Sequence, residues 1–167
     1  MSQQIAEKIR DQFPDTVYGI SEHAGKWRVD IHREANLQIL RWCHDELGLT
    51  YLADVTCVDL LEMPGEAPGR FEVIYVLRNL AAREFVVLRA YVPEDDPTIE
   101  SATAIWKAAN WLEREVFDLF GITFRNHPNM IRILMPENFE GHPLRRDFPT
   151  QGIGYRDNFP IISRDEA

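Results

Sequence analysis

The sequence predicts an α+β fold: a mixed or largely antiparallel sheet packed with helices, followed by an extended, Pro/Arg-containing C-terminal segment. Three observations lead there. Segments with period-2 and period-3.6 apolar spacing both occur, without the strict βαβ alternation of a parallel sheet. The chain has 167 residues, 45% apolar and 27% charged, a size suited to one compact unit that buries roughly 70% of its unfolded surface. Composition also changes near residue 120. Beyond it every basic residue is an arginine, no lysine follows Lys107, and prolines interrupt regular structure. The chain is therefore divided into an α+β domain (1–120) and an extended interface segment (121–167), expected to act as one structural unit after assembly.

The front elements follow in order. Ile5, Ile9 and Phe13 lie on one helical stripe, so Gln4 to Phe13 reads as a short helix ending at Pro14. Val17–Ser21 and Lys26–His32 flank Glu22-His-Ala-Gly25 and read as a hairpin. A second helix is expected from Glu34 to Leu47, turning Leu37, Leu40 and Cys43 or His44 toward a sheet, with Gly48 at its end. Tyr51–Leu61 reads as a strand. Its neighbour Arg70–Arg78 places Phe71, Val73, Tyr75 and Leu77 on one face, and Glu84–Val92 follows after a tight turn. From Ile99 to Phe120 the spacing is helical, with Leu112, Val116, Leu119 and Phe120 forming a buried stripe that stops at Gly121.

Charge excludes several classes of function. The formal net charge is −9, and all of the excess acid lies in residues 1–120. An acidic balance argues against a general nucleic-acid binder and against adhesion to anionic lipid. Cys43 and Cys57 are isolated and set in apolar stretches, so they read as core residues rather than as a disulfide or cluster site. Iron–sulfur clusters need several closely spaced thiolates, and no G-x-G-x-x-G opens a helix. The start lacks a basic-then-apolar leader and no run approaches a membrane span, so membrane contact is expected only through a partner.

Chemistry concentrates late in the chain. Glu113, Arg114, Glu115 and Asp118 flank the buried stripe, with Arg114 and Asp118 spaced i, i+4 and Glu115 and Asp118 spaced i, i+3. By composition this is a solvated helix face. Yet the lysines that usually balance such faces are absent from Ala108 onward, and the following Ile122–Pro136 mixes large apolar groups with Arg125, His127 and Arg132. That segment needs a surface to lie on. Two His-Pro pairs (127–128 and 142–143) keep it extended, and Gly141 permits a positive φ or a close approach before His142.

The run Glu113-Arg-Glu-Val-Phe-Asp-Leu-Phe-Gly121, followed by His127-Pro128 and Arg132-Ile-Leu134, closely resembles the signature of the 30 kDa subunit family (the C subunits) of respiratory complex I, the proton-pumping NADH:quinone oxidoreductase. Glu140-Gly-His-Pro-Leu-Arg-Arg-Asp-Phe-Pro149 resembles its second hallmark, and Asp54-Val-Thr-Cys-Val-Asp59 its strand motif. Where that family usually has a basic residue or proline, this chain has Ile131, with Arg132 retained beside it.

The resemblance implies a core subunit of the hydrophilic peripheral arm, on the cytoplasmic side of the inner membrane. It would scaffold the quinone-proximal module and would not itself be catalytic. Family members hold no cofactor; FMN and the iron–sulfur clusters belong to partner subunits. The neighbours implied are the quinone-site large subunit (D) and the neighbouring Fe-S subunits (B, I). Glu113, Arg114, Glu115, Asp118, His127, Arg132, Gly141, His142, Arg145, Arg146 and Asp147 are then the family signature and the expected subunit interface. In this reading residues 121–167 form a strap whose arginine forks engage carboxylates on a neighbour, anchored by Ile133, Leu134, Leu144 and Phe148, with Ile153–Ala167 ordered on assembly. A homologous subunit of a membrane-bound [NiFe] hydrogenase or a ferredoxin/F420-linked complex is the alternative, with the same fold and a different electron donor. A metal-dependent hydrolase site built from Glu115, Asp118, His127 and His142 is a remote one, because no H-E-x-x-H or similarly tight ligand spacing occurs.

Overall fold

The structure, a computed structural model, describes residues 2–65 and 67–153; the tail from 154 onward lies outside the described residues. Helix α1 (Ser2–Gln12) leads into the hairpin β1 (Val17–His23) and β2 (Lys26–His32). A 3-10 turn at Arg33–Ala35 passes into α2 (Asn36–Asp45). Then come β3 (Tyr51–Asp59), β4 (Phe71–Asn79), β5 (Glu84–Val92), the short β6 (Thr98–Glu100), α3 (Ala109–Phe120) and β7 (Thr123–Arg125).

The main sheet has the order β1-β2-β5-β4-β3. All its pairs are antiparallel except β2 with β5, which makes it the mixed sheet of an α+β fold. Strand periodicity dictates which face is buried. Phe71, Val73, Tyr75 and Leu77 of β4 are fully buried, as are Val86, Leu88 and Ala90 of β5, whereas the alternate positions Ile74 and Val76 are only half covered. Helix α1 packs on β1, β2 and β5, and α3 packs on β3. In α2, Leu40 and Cys43 are buried as the spacing requires, and Ile39 joins them. Cys57 is buried too, and burial pushes the Cys43 thiol up to about 12, so both cysteines serve as small apolar core groups.

Two boundaries differ from the sequence expectation. The helix expected from Ile99 begins only at Ala109. Ile99 instead belongs to β6, which pairs in parallel with β7, and the chain turns through Ser101–Ala108. The apolar residues Ile99, Ala102, Trp106 and Ala109 have helical spacing, but they are buried by long-range contacts: Ser101 donates its N–H to the Arg125 carbonyl (3.0 Å), and the Trp106 indole donates to the Thr50 carbonyl (2.9 Å). The division at 120/121 does not coincide with the edge of the core either. Ile122 is fully buried and Phe124 is 2% exposed, so the first residues of the back segment complete the front core. Beyond Arg125, residues 126–153 contain no helix or strand among the described residues.

Candidate docking site

Helix α3 ends with a difficulty common to all helices: its last carbonyls have no intrahelical donor, and the end carries partial negative charge. No basic residue stands in its own last turn. The segment after β7 supplies what is missing. Gly121 takes a left-handed conformation (φ 75°) and closes the helix by donating to the Phe117 carbonyl. The Asp118 carbonyl then accepts the His142 Nδ1–H (3.0 Å), the Leu119 carbonyl accepts the Leu144 N–H (3.1 Å), and the Phe120 carbonyl accepts Arg145 Nε–H (2.6 Å). A strap of residues 126–153 thus folds back over the helix terminus and caps it.

Asp118 is the hub of that contact. It is fully buried, and one carboxylate oxygen accepts the successive N–H groups of Ile133 (3.0 Å), Leu134 (2.7 Å) and Met135 (2.9 Å). The other oxygen binds Arg132 Nη1 at 2.9 Å, and Arg132 Nη2 reaches on to the Gly141 carbonyl. Burial works against the charge, but these donors outweigh it and hold the Asp118 pKa below the ordinary carboxylate range. Arg114, also buried, donates to the carbonyls of Ile131 and Arg132 and lies over the Trp111 ring at 4.9 Å. The i, i+4 neighbours Arg114 and Asp118 therefore each hold the strap. At Ile131, where the sequence departs from the signature, Arg114 binds the backbone carbonyl and not the side chain.

The far end of the strap is fixed to the sheet. Asp59, at the end of β3, accepts both Nε and Nη2 of Arg70 and the backbone N–H of Arg146 (2.9 Å). Arg70 also pairs with Asp147 (2.8 Å) and Glu94 (2.6 Å). Burial raises the Asp59 pKa, yet the Arg70 guanidinium and the backbone donors prevail and hold it at about 2, while Arg70 is raised. Arg146 Nη1 donates to the Leu61 carbonyl (3.2 Å), and Arg145 sits 5.0 Å over the Phe71 ring. Phe139 and Phe148 stack at 5.8 Å within the strap.

His127 belongs to the same framework. Its Nδ1 accepts the Asn129 N–H, so the proton rests on Nε2 and donates to the Asn110 carbonyl (3.1 Å). Burial lowers the pKa of both His127 and His142, and nearby arginines add to the effect.

Glu113 stands apart. It is fully buried, and no cation pairs with it among the described residues; Ser101 Oγ donates to one oxygen (2.6 Å) and the Ala102 N–H to the other (2.7 Å). Burial dominates, and the pKa is pushed up to about 7. Glu115 is exposed.

The solvated face that composition suggests is thus covered at Glu113, Arg114 and Asp118. The signature residues also have partners within the chain. Arg132, Arg145, Arg146, Asp147, His127 and His142 bind groups of this same chain, so within the chain these ionic groups hold the strap on its own domain. Beside exposed polar groups such as Glu137, Asn138 and Glu140, the strap also exposes large apolar side chains: Ile131, Leu134, Leu144 and Ile153 are 52%, 53%, 52% and 41% exposed, and Trp111 beside Arg114 is 63% exposed. Ile133 and Phe148 are half-buried. The hydrolase constellation does not form: Glu115 is exposed, His127 binds the Asn110 carbonyl, His142 binds the backbone carbonyl of Asp118 rather than its carboxylate, and no group of three or more potential ligands suited to a metal occurs among the described residues. Asp59 and Arg70 are the site residues that sequence reasoning missed. Asp59 ends the strand motif of β3 and Arg70 immediately precedes β4, but their pairing with the strap spans a separation that no local pattern reveals.

No helix among the described residues is long and apolar enough to cross a membrane. Comparison with known proteins matches residues 29–153 to the family described as "Respiratory-chain NADH dehydrogenase, 30 Kd subunit". The chain is 41% identical over 145 residues to the C subunit of the NADH-quinone oxidoreductase of Citrifermentans bemidjiense, covering 87% of this chain and 88% of that one. It is 42% identical over 148 residues to the corresponding protein of Trichlorobacter lovleyi, covering 89% and 90%. Among solved structures, "Nqo5 of the trypsin-resistant fragment (1-134)" superposes with a TM-score of 0.68 at 34% identity, covering 76% of this chain and 97% of the fragment. A membrane-bound sulfane sulfur reductase, an archaeal respiratory membrane complex, contains a chain of the same fold: TM-score 0.73, 22% identity, coverage 97% and 93%. With the signature residues gathered on α3 and on the strap that caps it, and the match running from β2 to the end of that strap, the chain belongs to the 30 kDa subunit family of respiratory-chain NADH dehydrogenase.

Proposed function

We propose that this chain is a cofactor-free core subunit of the peripheral arm of NADH:quinone oxidoreductase, on the cytoplasmic side of the inner membrane. There it scaffolds the quinone-proximal module beside the quinone-site large subunit and the neighbouring Fe-S subunits. The complex passes electrons from NADH through FMN and iron–sulfur clusters of partner subunits to quinone, coupled to proton translocation; this chain contributes rigid geometry rather than chemistry. The observation that carries the reading is the inversion at the strap. Arg132, Arg145, Arg146 and Asp147 bind groups of this chain and hold the strap in place, while Ile131, Leu134, Leu144 and Ile153 on it stay at least 41% exposed. Large apolar side chains left exposed on one segment support an interaction surface there. The NADH-quinone oxidoreductase relatives favour quinone as the electron acceptor, whereas the likeness to the sulfane sulfur reductase chain concerns the fold alone.

The test replaces Leu134 and Leu144 by aspartate, separately and together. Both side chains are more than half exposed, so the isolated variants should keep their stability within about 0.5 kcal/mol. Incorporation into the membrane-extracted complex should fall roughly tenfold for the double variant. Wild-type incorporation of a well-folded double variant overturns the proposal.

A further inference from the structure

We propose that the groove between the end of α1 and α2 is a second docking surface, separate from the strap, which receives a basic amphipathic helix of another subunit. The groove has a volume of about 610 Å³, within the range of built binding clefts. Its floor is Phe13, Leu37 and Trp42, with the Phe13 and Trp42 rings edge to face at 5.5 Å. Its rim carries Glu34, Asp45, Glu46 and Glu100 against one cation, Arg41.

Two features set the occupant. The groove is bounded by the turn into α2 and by α2 itself, so a third helix laid there sets one apolar stripe on the aromatic floor while its flanks meet the rim. The rim sets the charge of those flanks. Arg33 lies on Glu34 (2.8 Å) and Arg125 on Glu100 (2.9 Å), and His44 Nδ1 touches Asp45 (2.6 Å). Counting Asp96, which shares Arg33, five carboxylates face Arg33, Arg41 and Arg125, leaving an acidic excess even with these pairs formed. Lysine or arginine on the incoming helix complements that excess. A second copy of this chain, with net charge −9, is repelled, and anionic lipid is repelled for the same reason.

The experiment uses the assembled complex. A photoreactive phenylalanine analogue replaces Gln38, a groove residue on α2, and the extracted complex is irradiated and its adducts sequenced. The expected adduct is on a different subunit, in a helical segment with at least two Lys or Arg residues flanking an apolar stripe. An adduct on a second copy, on residues 154–167 of the same chain, on an acidic segment or on lipid overturns the proposal, as does the absence of any adduct. In parallel, Asp45→Lys with Glu46→Lys should lower retention of the chain in the complex about fivefold at moderate salt, with the melting of the isolated chain unchanged; wild-type retention counts against it. The strap is untouched by these changes, so failure here leaves the Leu134 and Leu144 test standing, and the reverse holds as well.

Discussion

Glu113 and Asp118 lie a little over one turn apart on α3, both fully buried, and yet their pKa values move in opposite directions. The difference lies in their donors. Asp118 receives a guanidinium and a run of backbone N–H groups, enough to offset desolvation; Glu113 receives one hydroxyl and one N–H and has no cation among the described residues. The sign of the consequence is definite. The Glu113 pKa is raised from 4.5 to about 7, so folding takes up a proton between these values. The associated stability is fully present below 4.5 and lost as pH rises through 7. Glu113→Gln keeps the shape and both hydrogen bonds, since Ser101 Oγ can accept where it formerly donated. At pH 4 the variant should match the parent closely; at pH 8 it should be more stable by roughly 1 to 3 kcal/mol. Urea denaturation at the two pH values measures this, and an equal difference at both would contradict it. The lowered pKa values of His127 and His142 act oppositely, their stability being lost as pH falls, but they are common to both proteins and cancel in the comparison.

At the scale of elements, the joint between α3 and the strap depends on Gly121. Its φ of 75° strains any other L-residue, and a Cβ there would stand 2.5 Å from His142 Nε2 and 2.6 Å from Arg145 Nη2. Gly121→Ala should therefore cost about 1 to 2 kcal/mol in backbone strain and also loosen the two side chains that cap the helix. The readout is limited trypsin digestion: cleavage after Arg132, Arg145 and Arg146 should accelerate in the variant while the sheet stays intact, and unchanged rates would contradict the capping role. Much of this element structure was legible in the sequence, because the period-2 rows of β4 and β5 and the stripe of α3 report burial directly. The hairpin and the helix stop at Gly121 were legible for similar local reasons. The start of α3 was not, since Ile99, Ala102 and Trp106 have helical spacing but owe their burial to partners from β7 and Thr50. The inward direction of Arg132, Arg145 and Arg146 was not legible either: an arginine in an extended segment carries no local sign of whether its acceptor lies on its own chain or another. Asp59 and Arg146 are 87 positions apart, and only the closed fold brings them together.

For the molecule as a whole, the strap and the first residues beyond 120 are built into the core of the front domain. The core closes only with Ile122 and Phe124, and two buried carboxylates, Asp118 and Asp59, depend on residues 132–135 and 146 for part of their compensation. A chain cut after Phe120 would strip the end of α3 of its capping donors, uncover the Asp118 carboxylate to water and expose the apolar bed that Ile122 and Phe124 fill. The two lost core side chains alone cost roughly 1.5 to 3 kcal/mol each. That loss is a large share of the whole stability of an ordinary domain, about 5 to 15 kcal/mol. A soluble front domain cut at the composition boundary should therefore not form. Fragment 1–120 should lack a cooperative thermal transition, and fragment 1–153, which keeps the strap, should melt cooperatively with the full chain. A cooperative melt of fragment 1–120 near the temperature of the full chain would show instead that the strap is an accessory to a fold already complete. The surface that meets the partner would then have to be sought on the front domain alone.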